Sequence, residues 1–198
     1  MALPGRLETI IADMTNEPSS LGLGRGVVEL RASDPAWAEA FRSEAARLTQ
    51  QIAAAELAPL LFEHIGSTAV PGLDAKPIID LIAGYQQGTE PRAYFSTLQT
   101  AGYEYRGPQG VPQREYFVRG PESHRTHHFN LVPFEGKFWR DHLTFRDRLR
   151  NEPAVRTAYA ALKRQLAAAH PHDRGAYTDG KAQFVLHITQ GGVVLPAS

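Results

Sequence analysis

Apolar positions recur at helical spacing near both ends of the chain and fall into short extended runs between them. Trp37, Phe41, Ala45, Leu48 and Ile52 mark the buried face of a helix that Asp34 caps and Pro35 opens. From Phe138 onward three further stripes appear. The first holds Phe138, His142, Phe145 and Leu149. The second holds Val155, Ala158, Leu162 and Leu166. The third holds Tyr177, Lys181, Phe184 and Ile188, and Pro153 and Pro171 punctuate the helices. Strands are predicted at Val27–Leu30, Leu60–Ile65, Ile78–Ala83, Tyr103–Arg106, Arg114–Val118 and His127–Val132. A helix starts at Thr89, runs through Tyr94, Phe95 and Leu98, and ends at Gly102. The Gly-Pro-Gln-Gly-Val-Pro segment at 107–112 reads as a hairpin loop. The sum is an α+β domain: a mixed β-sheet flanked by helices, with a helical C-terminal half.

Residues 1–26 are poorly patterned, and Asn16 to Gly26 is turn-rich. This segment reads as a flexible or loosely docked N-terminal arm, in which Leu7, Ile10, Ile11 and Met14 match a short amphipathic helix. Residues 27–198 read as a single domain. A chain of 198 residues suits one domain with a sizeable core. Lys plus Arg equals Asp plus Glu, so no basic surface points to nucleic acid as a partner. The absence of cysteine excludes disulfides, thiolate zinc sites and cysteine nucleophiles. No apolar run approaches a membrane span and no secretory signal is seen, so a soluble cytoplasmic protein is expected. No phosphate loop of the Gly-x-x-x-x-Gly-Lys-Ser/Thr type and no Gly-x-Ser-x-Gly elbow is present in the sequence.

The chemistry concentrates between Glu63 and Ile82. An apolar run ends in Gly66-Ser67-Thr68, and after Lys76-Pro77 a second apolar run carries one carboxylate, Asp80. Gly66 permits a sharp turn, and the Ser67 and Thr68 hydroxyls with nearby amides can grip an anion such as phosphate. A bare carboxylate among Ile78, Ile79, Leu81 and Ile82 is expensive unless it faces a polar site. Further along, His128 and Asn130 share one strand face, and His127 and Phe129 the other.

The run His64-Ile-Gly-Ser-Thr-Ala-Val-Pro-Gly-Leu73, followed by Lys76-Pro-Ile-Ile-Asp80, resembles the GrpB family, a group related to the nucleotidyltransferase fold. Arg125-Thr126-His127-His128, Phe145-Arg146-Asp147 and Ala176-Tyr177-Thr178-Asp179 before Lys181 extend the resemblance over roughly Val27 to Ile188. It implies a nucleotidyltransferase-like enzyme acting on a nucleotide or other phosphorylated small molecule. Two alternatives stand beside it: a non-catalytic nucleotide- or small-molecule-binding domain, and an enzyme of different chemistry, such as amide or ester formation, on the same scaffold.

Asp80, His128 and Lys76 are the catalytic candidates. Gly66, Ser67, Thr68, Arg125, His127, Arg146, Tyr177 and Lys181 are the candidates for binding substrate or phosphate. The nucleotidyltransferase pattern usually carries two carboxylates two residues apart on this strand, and here the second position is Ile82. Asp80 is therefore the one metal candidate there, and Mg²⁺ is expected only together with a phosphorylated ligand. Glu115 is a candidate for the missing carboxylate. Zn²⁺ on Asp80, His128 and His64 is the lesser alternative. Self-association is left open.

Overall fold

A computed structural model describes residues 21–194. Helix α1 (Ala36–Ala54) precedes strand β1 (Leu61–Ile65), a 3₁₀ turn at Ser67–Ala69 and β2 (Ile79–Tyr85). A 3₁₀ turn at Pro91–Tyr94 leads into α2 (Phe95–Thr100), and β3 (Tyr103–Tyr105), β4 (Glu115–Arg119) and β5 (His127–Pro133) follow. The helices α3 (Lys137–Asn151), α4 (Pro153–Ala169) and α5 (Arg174–Thr189) come after them. The strands form one mixed sheet in the order β1-β2-β5-β4-β3. Only β2 and β5 run parallel; the other neighbours are antiparallel.

Pro35 holds the N-cap position of α1, one residue earlier in the helix than expected, and the Asp34 carboxylate before it accepts from the Ala36 N–H at 2.9 Å. The interval 107–112 does connect an antiparallel pair, β3 and β4. The strand expected at Val27–Leu30 is not formed. Val28 donates to the Pro171 carbonyl, and Arg31 makes only an isolated bridge with Ala75, so the β-branched pair finds no strand edge to join. Leu7 to Met14 lie outside the described residues. Residues 21–26 are tied to the domain: Gly22 donates to the Pro77 carbonyl, Leu23 bridges Arg125, and Leu21 packs into the main core.

Register assigns the two faces of the sheet. Ile79, Leu81 and Ala83 of β2 share a face with Phe117, Phe129 and Leu131, and this face packs on Trp37, Leu48, Ile52 and Leu98 of α1 and α2. Asp80 and Ile82 share the opposite face with His128, Asn130, Tyr116 and Val118. The helices α3, α4 and α5 pack mainly against one another around Leu149, Val155, Tyr159 and Ile188, and α3 adds Trp139 to a cluster with Ile65, Ile82 and Val132. Both faces of β5 are covered, so His127, His128 and Asn130 are buried along with Phe129, Leu131 and Val132.

Candidate functional site

The site starts at Gly66, which caps the 3₁₀ turn with φ +72° and ψ −172°, a region essentially reserved for glycine. The carboxylate of Asp80 lies directly against it, and a Cβ at position 66 would overlap Asp80 Oδ2. On the other side of Asp80, His128 Nδ1 lies 2.8 Å from Oδ1. Arg174 at the start of α5 brings Nη2 within 3.3 Å of His128 Nε2. A guanidinium can only donate, so Nε2 carries the lone pair and Nδ1 carries the proton given to Asp80. The neutral imidazole is thus held in one tautomer.

Cations gather around this pair without touching the carboxylate. Lys76 and Lys181 both lie over the Tyr177 ring, at 5.2 and 4.4 Å from its centroid. Neither lysine nor Arg174 forms an ion pair with a carboxylate among the described residues. Desolvation, reinforced by Arg174 and Lys181, pulls the Lys76 pKa down to about 7 against the attraction of Asp80. Lys181 is lowered to about 8, again chiefly by desolvation. Lys163 of α4 is fully buried over the Tyr159 ring, donates to the Asp74 carbonyl, and is lowered to about 7. Burial pushes Asp80 up, but the hydrogen bond from His128, with the nearby charge of Lys76, outweighs it and leaves the carboxyl below its ordinary value. Its side chain remains 33% exposed, so a ligand can reach it. Tyr116, raised to about 12 by burial, covers His128 with its ring at 5.8 Å. An open cavity of about 280 Å³ adjoins, lined by His128, Arg174, Tyr116, Arg125, Arg106 and Glu122 among others.

Of the residues singled out from sequence, Gly66, His128, Lys76, Tyr177 and Lys181 gather around Asp80, and His128 joins this group to the adjoining cavity. The Ser67 hydroxyl borders the group beside the Tyr159 phenol. The others are engaged elsewhere. Thr68 is buried, donates to the Ile78 carbonyl at 3.3 Å and contacts His64 Nε2 at 3.0 Å, so its hydroxyl fastens the turn. His127 points to the α1 face and contacts the Thr126 hydroxyl at 2.9 Å. Arg146 commits its donors to Glu63, Asp147 and the His64 carbonyl, at 2.5, 2.8 and 3.1 Å. Arg125 reaches the Gly120 carbonyl and Glu104 and meets only the adjoining cavity.

The described side chains around Asp80 do not fit a resident metal. Glu115 lies on the opposite sheet face, bonded to Tyr105, and cannot join Asp80. Ile82 is fully buried against Trp139. His64 also faces away, stacked on Phe41 at 4.8 Å, which removes the third member of the histidine site. Among the described residues no three His, Asp or Glu side chains converge as a metal-ion site. One carboxylate ringed by ammonium and guanidinium groups is a poor cage for a hard dication that wants several oxygens.

Sequence reasoning passes over Arg174, Lys163, Tyr116 and Tyr159. A signal for Lys163 is present: Tyr159 and Lys163 repeat on α4 the four-residue spacing of Tyr177 and Lys181 on α5.

Comparison with known proteins gives a consistent kinship. The model of the GrpB protein family matches residues 27–191. A UPF0157 protein of Pseudomonas aeruginosa is 42% identical over 164 residues, covering 81% of this chain and 66% of that protein. UPF0157 protein YqkA of Bacillus subtilis is 35% identical over 80% of this chain but only 45% of its own length. The chain thus spans less than two thirds of these two relatives. Glutamate-rich protein GrpB of Alkalihalophilus pseudofirmus is 31% identical over 85% of this chain and 97% of that one. The crystal structure of conserved protein GrpB from Enterococcus faecalis shares the fold with a TM-score of 0.73 and 38% identity, over 82% of this chain and 96% of that one. A family match across most of the described domain, joined by relatives of this identity, makes the chain a member of the GrpB family.

Proposed function

We propose that the recess around Asp80 binds the phosphate groups of a nucleotide or other phosphorylated small molecule, and that the chain is a nucleotidyltransferase-like enzyme acting on it. The observation that carries this reading is the set of Lys76, Lys181 and Arg174, which surround one carboxylate with no other carboxylate paired to them among the described residues. Positive charge held apart and partly desolvated is unfavourable in the free protein and favourable once an anion enters. Phosphoryl and nucleotidyl transfer place their developing charge on phosphate oxygens, and positioned cations stabilise it. Lys76, Lys181 and Arg174 would take these oxygens, the Ser67 edge of the turn would add a hydroxyl, and His128 would stand at the reacting end. Magnesium would enter only as a companion of the ligand.

The second reading, a binding domain without catalysis, draws on Ile82, whose buried side chain replaces the second carboxylate of the nucleotidyltransferase pattern. A thermal-shift panel of nucleoside triphosphates, with and without Mg²⁺ or Zn²⁺, tests the common part of both readings. A bound ligand at 100 times its dissociation constant should stabilise the fold by about 2.7 kcal/mol. A panel with no shift would reject a nucleoside-triphosphate site. Product formation from a bound nucleotide then separates enzyme from binding module.

A further inference from the structure

We propose that His128 acts as a nucleophile, its Nε2 taking the transferred phosphorus group into a covalent bond before handing it to an acceptor. The inference rests on the phosphate reading of the recess. Nδ1 is pinned to Asp80 at 2.8 Å, so the ring cannot turn its other nitrogen inward. The donor Arg174 leaves the lone pair on Nε2. That nitrogen faces Arg174, and His128, Arg174 and Tyr116 together form one wall of the open cavity of about 280 Å³. The imidazole side chain is only 10% exposed. The arriving group that best replaces Nε2 as partner of the Arg174 guanidinium is a phosphate oxygen, because a guanidinium selects oxyanions. A phosphate held there sets its phosphorus beside the lone pair. An acceptor hydroxyl, the partner that a purely general-base histidine requires, has no comparable attraction to that position.

The step balances without a co-reactant beyond a phosphoanhydride donor. The Nε2 lone pair forms the N–P bond while the bridging P–O bond breaks, and its electron pair leaves on the departing phosphate oxygen. From a nucleoside triphosphate that group is diphosphate after attack at the α-phosphorus, or the nucleoside diphosphate after attack at the γ-phosphorus. The Nδ1 proton stays on the ring, and the new imidazolium charge lies against the Asp80 carboxylate. In the second half an acceptor hydroxyl attacks the phosphorus, the N–P electron pair returns to Nε2, and the hydroxyl proton passes to solvent. Arg174 at 3.3 Å is in place to follow the oxygens through both halves.

The test incubates the whole chain separately with ATP radiolabelled at the α-phosphorus, ATP radiolabelled at the γ-phosphorus, and phosphoramidate as a small donor. The denatured protein is then assayed for bound phosphorus. The expected result is an acid-labile, alkali-stable adduct from at least one donor, mapped by mass spectrometry of wild-type peptides to His128. His128→Gln should form none. Asp80→Asn, which loses the carboxylate that fixes the ring, should slow labelling by about 100-fold or more. An adduct on another residue, or none from any donor, overturns the proposal. If ATP still raises the melting temperature while no adduct forms, the nucleophile is wrong and the phosphate recess stands. If ATP gives neither adduct nor thermal shift and phosphoramidate gives no adduct, both fall.

Discussion

The two faces of the sheet handle buried charge in opposite ways. On the α1 face Glu44 is 6% exposed and fully satisfied: Arg47, Arg119 and the Tyr103 hydroxyl reach it at 2.6, 2.5 and 2.9 Å. His127 and His64 on that face are each matched to a threonine hydroxyl. On the face covered by α3, α4 and α5, Lys76 and Lys181 have an aromatic ring and, among the described residues, no paired carboxylate, and Asp80 has only a neutral histidine. Balanced charge holds a fold together; unbalanced charge held in place by the fold is the mark of a missing ligand. Substitutions should therefore separate stability from binding according to the face they touch.

The largest effect is expected at Glu44. Glu44→Ala removes the carboxylate shared by two partly exposed arginines and a buried tyrosine hydroxyl, and should cost about 3 kcal/mol in denaturant unfolding, with ligand affinity preserved in the folded fraction. A loss near zero would deny the face its structural role. Next comes Gly66→Ala, which forces a side chain into the glycine-only region and against Asp80. It should cost roughly 1–3 kcal/mol and, unlike Glu44→Ala, weaken binding as well by displacing the carboxylate.

Stability against pH should read the groups of both faces without any mutation, Asp80 joining the α1-face groups in the acid range. The pKa of Glu44 is lowered to about 2, because Arg47, Arg119 and Tyr103 outweigh its burial, and burial lowers His64 and His127 to about 4. The unfolded chain, with values near 4.5 and 6.5, binds more protons through this range, so stability is lost as pH falls from about 6.5 towards 2. Lys76 and Lys163 near 7 and Lys181 near 8 also sit below their unfolded value of 10.5. Stability should accordingly rise between about pH 7 and 10. Above pH 10 it should fall, since Tyr116 and Tyr177 keep their protons to about 12 in the fold. Chemical denaturation across this range checks the shape. Lys163→Met with Lys181→Met should flatten the alkaline rise and leave the acid loss intact.

The smallest effect on stability, and the sharpest contrast with Glu44, belongs to Lys181→Met. Removing a cation that has no paired carboxylate among the described residues should leave the melting temperature unchanged or slightly raised. The thermal shift given by a triphosphate should fall. A marked loss of stability would show that Lys181 is structural.

Much of this contrast is legible in the order of residues along the chain. The α+β order, the strands on either side of Gly66 and the three C-terminal helices follow from periodicity and turn residues, because each element's pattern is local. The site is legible where its residues are neighbours in sequence: Gly66, Lys76 and Asp80 are joined by one loop. His128 is legible because its strand face follows from alternation with Phe129. The partners of Thr68 and Arg146 are not legible, because a polar residue looks the same in sequence whether its partner is a ligand or a carbonyl. Here the partners are the Ile78 and His64 carbonyls, and tertiary packing supplies both. Arg174 escapes a reading by sequence because it opens α5 and reaches His128 only once that helix has packed against the rest of the domain.

The most direct test of the central claim is a calorimetric titration of ATP into the protein in the presence of a chelator, comparing wild type with the Lys76→Met, Lys181→Met double variant. Binding by the wild type without any divalent cation, lost in the double variant while its melting temperature holds, is the expected result. Binding that survives loss of both lysines would contradict it.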